Sequence, residues 1–187
     1  MTGPGPGHNG GPALQPGGSW RRHCWSKARA DLLPTLPIEV VRKRVSRAAE
    51  LGLDYRTYAS VRAASGHDVV AFLFSSNALR VMPGQDLPED RAGKLRRLCA
   101  GRIGLAQGRL APEALLAAAE GVLDAAHPAP RPFAGWWSES RARLRAALGR
   151  IPSDQVILVG EGWSEREWSE AARLAACLDV ERYMAAG

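Results

Sequence analysis

The stretch GHDVVAFLFSSNALRV, Gly66 to Val81, decides how the rest of the chain is read. Val69 to Phe74 is an apolar run of six residues, a length no run in the chain exceeds, and the polar step Ser75-Ser76-Asn77 follows it. As a strand, a continuous Val/Phe-rich run is buried on both faces, as in a parallel sheet. Ser75, Ser76 and Asn77 would then stand at its carboxyl end, where open α/β sheets place their ligands. As a helix, Asp68 would cap residues 69–81. The helix before it and the turn Ser65-Gly66-His67 would complete a helix-turn-helix-like unit over residues 54–81. Such a recognition helix is poor, because only Asn77 could read a base edge. A third reading is a core strand with no site. β-branched and aromatic enrichment favours a strand over a helix.

A second apolar run, VILVG (Val156–Gly160), leads into Glu161-Gly162-Trp163-Ser164 and then a helical pattern. If the two strands are parallel neighbours, the Ser75–Asn77 loop and the Gly160, Gly162 and Ser164 loop lie side by side. They would form an anion or small-acid site at a helix N-terminus. The glycine pair lacks the third glycine of a dinucleotide loop and the lysine of a P-loop. Glu161 would repel a phosphate. Glu161, Glu165, Glu167 and Glu170 read as the solvated acidic start of that helix, favoured by its dipole. In GWSEREW, Ser164 is the expected N-cap, Glu167 its capping-box partner, and Trp163 a staple onto Trp168. Trp137-Ser138 suggests a similar helix start.

Around these runs the pattern is helical. A basic helix spans Trp20 to Leu33. Another starts at Pro37, with Ile38, Val41, Val45, Ala48 and Ala49 on its core face. Lys43, Arg44 and Arg47 oppose that face, and Arg42 flanks it. Gly52 stops the helix, Asp54 caps a short one carrying Tyr55, Tyr58 and Val61, and Gly66 ends it. Further helices are expected over Pro88–Gln107 (weakened by Gly101 and Gly104), Ala111–Ala126, Ser138–Leu148 and Ser164–Leu178, with His127–Gly135 a loop. Two strands do not make an independent sheet. Either Arg131–Trp136 or Leu79–Met82 adds another, or the fold is mostly helical. The expected class is therefore α+β or small α/β, helix-rich with a few buried strands. The alternative is all-α with the unit at 54–81.

The 187 residues carry net charge +6, distributed as +6 over 20–62, +4 over 63–150 and −4 over 151–187. Arg21, Arg22, Lys27 and Arg29, then Arg42, Lys43, Arg44 and Arg47, form a basic front interleaved with Trp20, Trp25, Tyr55 and Tyr58. That combination suits phosphate attraction and base stacking. Cys24, Cys99 and Cys177 are odd in number and widely spaced, which speaks against a disulfide framework. His23-Cys24 is the only close His/Cys pair, so no metal site is expected. Membrane spans need about 20 apolar residues, far more than the longest run here. The opening residues show neither the basic nor the apolar region of a secretory signal, so a cytoplasmic location is expected.

Residues 1–19 are rich in Gly and Pro and read as a disordered tail before a single domain over 20–187. Within them GPGHNGGP resembles the opening of uncharacterised small proteins of alphaproteobacteria and their phages, some DNA-associated. That resemblance covers about a dozen residues. It implies a cytoplasmic bacterial protein and carries no active residue. No nucleophile elbow or acid–base pair stands out, so no catalytic residue and no cofactor is assigned. Enzyme and non-enzyme both stay open. The leading expectation is a nucleic-acid-associated or regulatory adaptor working through the basic front. The alternatives are a small α/β enzyme or ligand-binding domain, and a protein–protein module docking through the tail.

Overall fold

The computed structural model describes residues 36–131 and 136–186. Arg21, Arg22, Lys27, Arg29, the Trp20–Leu33 helix and the tail lie outside them. The compact unit that begins at Glu39 holds the whole sheet. Its elements are α1 (Ile38–Glu50), α2 (Tyr55–Ser65), β1 (Ala71–Ser75), α3 (Ser76–Leu79) and α4 (Glu89–Arg96). Then come β2 (Gly101–Ala106), α5 (Pro112–Ala118), β3 (Ala125–Pro128) and α6 (Trp136–Leu148). A 3₁₀ turn, Ser153–Gln155, leads into β4 (Val156–Gly160), α7 (Trp163–Ala172), β5 (Ala176–Asp179) and α8 (Val180–Ala185). The strands form one parallel sheet in the order β3-β2-β1-β4-β5. The fold is α/β, and the helix-turn-helix alternative is overturned because the run after Gly66 is a central strand.

β1 and β4 are buried along their full length, as their unbroken apolar runs require. Alternate residues feed opposite sides of the sheet. Phe72, Phe74, Ile157 and Val159 meet α1, α2, α4, α5 and α8. Ala71, Leu73, Val156 and Leu158 meet α6 and α7. Right-handed crossovers account for this division. The chain steps from β1 outward through β2 to β3 with helices on one side. It then returns to β4 and continues to β5 with α6 and α7 on the other.

β2 and β5 fall where helices were expected and β3 spans an expected helix end and loop start, while neither Leu79–Met82 nor the described part of 131–136 supplies a strand. α4 stops at Arg96, and GRIGLA pairs beside β1. Its glycines mark close approach rather than a fraying helix. A Cβ at Gly104 would lie 2.8 Å from both Leu115 and Leu123, and one at Gly101 3.2 Å from Ala71. α5 ends at Ala118, which frees Ala125–Pro128 to pair with β2. α7 ends at Ala172, where Arg173 takes a left-handed conformation (φ 55°) that sequence normally assigns to glycine. That unusual C-cap hides β5 in what reads as one long helix.

Two helix signals hold. Asp54 caps α2, accepting from the Thr57 backbone N–H at 2.9 Å, and Gly66 ends it at φ 77°. α1 forms, but turned from its expected orientation. Ile38 and Val45 are exposed, Ala48 is buried and Arg44 and Arg47 are half-buried. Arg47 fastens α1 to the sheet. Its Nε donates to Asp68 Oδ2 (3.0 Å), Nη1 to Glu50 (2.8 Å) and the Cys99 carbonyl (3.2 Å), and Nη2 to the Val69 carbonyl (3.0 Å). Asp68 also accepts from the Tyr58 hydroxyl (2.8 Å) and the Val69 N–H (2.9 Å). Arg91, on α4, is buried and donates to the Ala78 carbonyl and to Glu181.

Burial pushes the Asp68 carboxyl up, but the Tyr58 hydroxyl, the Val69 N–H and Arg47 outweigh it and hold the group below its ordinary value. The Thr57 hydroxyl and N–H do the same for Asp54, and Arg102 for Asp124. Folded-state values below the unfolded ones stabilise the protein above the unfolded carboxyl pKa, about 3.9. That stability is lost as pH falls through the folded values. Thermal midpoints followed from pH 7 to pH 2.5 are expected to drop steeply below about pH 4. Asp68→Asn should flatten that drop, and an unchanged profile would remove Asp68 from the account.

Candidate functional site

β1 and β4 pair directly, in register from Ala71–Val156 to Phe74–Val159. Ser75 and Gly160 therefore follow the last matched pair at the carboxyl edge, so the two loops singled out from sequence are neighbours. Here the order of strands reverses and the connecting helices change sides, the switch point at which doubly wound sheets bind their ligands.

The expected residues divide by role. Ser75 is fully buried, and its hydroxyl caps α3 by accepting from the Ala78 N–H at 3.2 Å. Gly160 gives room to α7, since a Cβ there would lie 2.5 Å from Glu165 Cβ. Gly162 is the extended N-cap of α7, with no side-chain cap. Ser164 is thus inside the helix and not its cap, and the capping box with Glu167 does not form. Trp163 is 57% exposed while Trp168 is buried against the sheet. Trp137 and Ser138 likewise fall inside the first turn of α6.

Two residues that sequence did not point to complete the crevice. Gln107, just past β2, accepts at Oε1 from the Asn77 N–H (3.1 Å) and, at 3.5 Å, from the Ser76 hydroxyl. Its backbone N–H donates to Ser76 Oγ at 3.1 Å, and its Nε2 donates to Glu165 Oε1 at 3.3 Å. One carboxamide thus ties together the loops after β1, β2 and β4. Glu165 is only 2% exposed, so the solvated-face reading fails for it, although Glu161 and Glu170 are exposed as expected. No ion pair among the described residues holds Glu165. Burial first, and then the Glu165 charge, push the nearby Cys177 thiol up to about 11. Signals for both residues existed in the sequence: Ala106-Gln107-Gly108 ends a strand, and small glycines precede Glu165.

Comparison with protein families, curated proteins and solved structures finds no match to this chain.

Among the described residues no cluster of three or more His, Cys, Asp or Glu could hold a metal ion. No helix among them is long and apolar enough to cross a membrane. A separate hollow of about 460 Å³ opens between α1, α4 and the end of α8. Lys94 crosses it to the Tyr183 and Ala186 carbonyls, capping α8. Of the basic front, Arg42 pairs with Glu39 at 2.9 Å and Arg47 is committed to Asp68 and Glu50, leaving Lys43 exposed and Arg44 half-buried.

Proposed function

We propose that the protein is a ligand-binding α/β domain whose site is the crevice between the carboxyl ends of β1 and β4. The observation that carries this reading is the buried Glu165 carboxylate at the point where strand order reverses. A carboxylate taken out of water and held by a single amide has unused acceptor capacity. It favours a neutral or cationic molecule bearing O–H or N–H donors and disfavours the anion that the helix N-terminus alone suggested. Asn77, exposed just past β1, adds a side-chain amide, while the Ser76 hydroxyl holds Gln107 in place. Gln107 lies across the crevice as a side chain that a ligand would displace or stack upon. The basic-front reading is weaker, because Arg42 and Arg47 already have intramolecular partners.

A thermal-shift panel of polyols, sugars, nucleosides and amino-acid amides at 10 mM, with phosphates and carboxylates alongside, tests this. A compound with a Kd near 1 mM would stabilise the fold by about 1.4 kcal/mol. That corresponds to a rise of about 4 °C for a chain of this size. The rise should come from donor-rich neutral or cationic compounds and vanish in Glu165→Gln. No response across the panel, or the same response in the variant, would sink the proposal.

A further inference from the structure

The outward face of α6 is a second place where chemistry-bearing residues align. Trp137, Arg141 and Arg145 recur every four residues and are all exposed, Trp137 by 51%. Four residues of helix rise about 6 Å and turn about 40° past a full turn, so the ring and the two guanidinium groups follow one slanting ridge of the helix. The small side chains Ala142 and Ala146 flank it, so among the described residues lining this face nothing bulky screens the row. Among the described residues neither Arg141 nor Arg145 has a hydrogen bond or ion pair. Glu139, the acid on the same helix, is instead held by Arg143 at 2.8 Å. Below the row a hollow of about 240 Å³ runs past Gly149 and Ser153 to Ala172, and no carboxylate lines it.

We infer that this row is a docking surface for single-stranded nucleic acid, separate from the ligand crevice. Arginines that no carboxylate neutralises attract a polyanion and release its counterions. An exposed indole in line with them offers a base a face to stack on, and only an unpaired base can use it. A purely acidic protein partner would use the arginines but gain no stacking from Trp137.

The test is fluorescence anisotropy of the full chain with a fluorescein-labelled single-stranded thymidine 20-mer, read from 50 to 200 mM salt. Arg141→Ala/Arg145→Ala is expected to weaken binding about tenfold or more at low salt. It should also reduce the slope of log affinity against log salt by about 1.4, or 0.7 for each lost phosphate contact. Arg141→Lys/Arg145→Lys should keep the slope. Trp137→Ala should weaken binding about tenfold with the slope unchanged, as lost stacking requires. Lys43→Ala/Arg44→Ala should change neither quantity. Far-UV circular dichroism confirms that each variant is folded. Absence of binding, an unaffected double arginine variant, or loss only in the 43/44 variant overturns the inference. So does a duplex that binds as well while Trp137→Ala is silent. Polyglutamate competing as well as the oligonucleotide would assign the row to an acidic protein instead.

Discussion

Gly160→Ala is expected to destabilise the fold by about 3 kcal/mol, at the upper end of what overpacking costs. For a chain of this length the thermal midpoint should fall by about 9 °C. The added Cβ would stand 2.5 Å from Glu165 Cβ and 2.6 Å from its Cγ. A Cβ is fixed to its backbone, so no rotamer change relieves the first contact. Either α7 moves off the end of β4 or the strand bends. Gly104 offers the contrast. There the new Cβ would meet the ends of the Leu115 and Leu123 side chains at 2.8 Å, which can turn aside. Gly104→Ala should therefore cost clearly less than Gly160→Ala. Glu165→Gly removes the atoms in the way and costs about 1 kcal/mol in helix propensity. The double variant Gly160→Ala/Glu165→Gly should accordingly be more stable than Gly160→Ala alone. Urea unfolding of the four proteins decides the matter, and a double variant no better than Gly160→Ala would show that the contact is not the cause.

The centre of this fold was legible from sequence and its edges were not, for a physical reason. β1 and β4 lie in the middle of the sheet with both faces covered, so every position must be apolar and the run stands out. β3 and β5 flank the sheet, are only partly buried, and are spelled AAHP and ACLD, patterns that suit a helix end equally well. β2, spelled GRIGLA, carries two glycines that weigh against any regular element until Leu115 and Leu123 are seen over Gly104 and Ala71 beside Gly101. The side-by-side placement of the 75–77 and 160–164 loops hung on the two strands being parallel neighbours, a condition that the β1–β4 pairing meets. The local signals for Glu165 and Gln107 did not reveal their roles, which depend on partners 58 residues apart in the chain. An acid in the first helical turn is ordinarily solvated. Here the absence of a side chain at Gly160 lets the helix settle close enough to bury it. Within the basic front, a one-dimensional charge run does not reveal that Asp68 and the Val69 carbonyl await Arg47.

Phe74→Ala is expected to cost about 4 kcal/mol, in the range for deleting a buried aromatic ring. Phe74 is fully buried on the side of the sheet that faces α8. Its ring centroid lies 5.9 Å from that of Phe72 and 5.9 Å from that of Tyr183, and the latter two are 5.5 Å apart. The three rings form a triangle between the central strand and the last helix. Tyr183 is itself buried, with its hydroxyl 3.5 Å from the Leu51 carbonyl, and burial drives that hydroxyl's pKa far upward. Losing one corner removes transfer energy and leaves a cavity that two rigid rings cannot collapse into. In urea the midpoint should fall while the slope stays constant, as for a change in stability alone. Tyr183→Ala should be similarly severe. The pair Phe74→Ala/Tyr183→Ala should cost less than the two single changes added together, by about 1 kcal/mol, because the ring contact can be lost only once. Leu73 points to the opposite side of the same strand, so Leu73→Ala combined with Tyr183→Ala should add without coupling. Coupling of equal size in both pairs would mean that β1 responds as a whole, and that the triangle is not a distinct unit of stability.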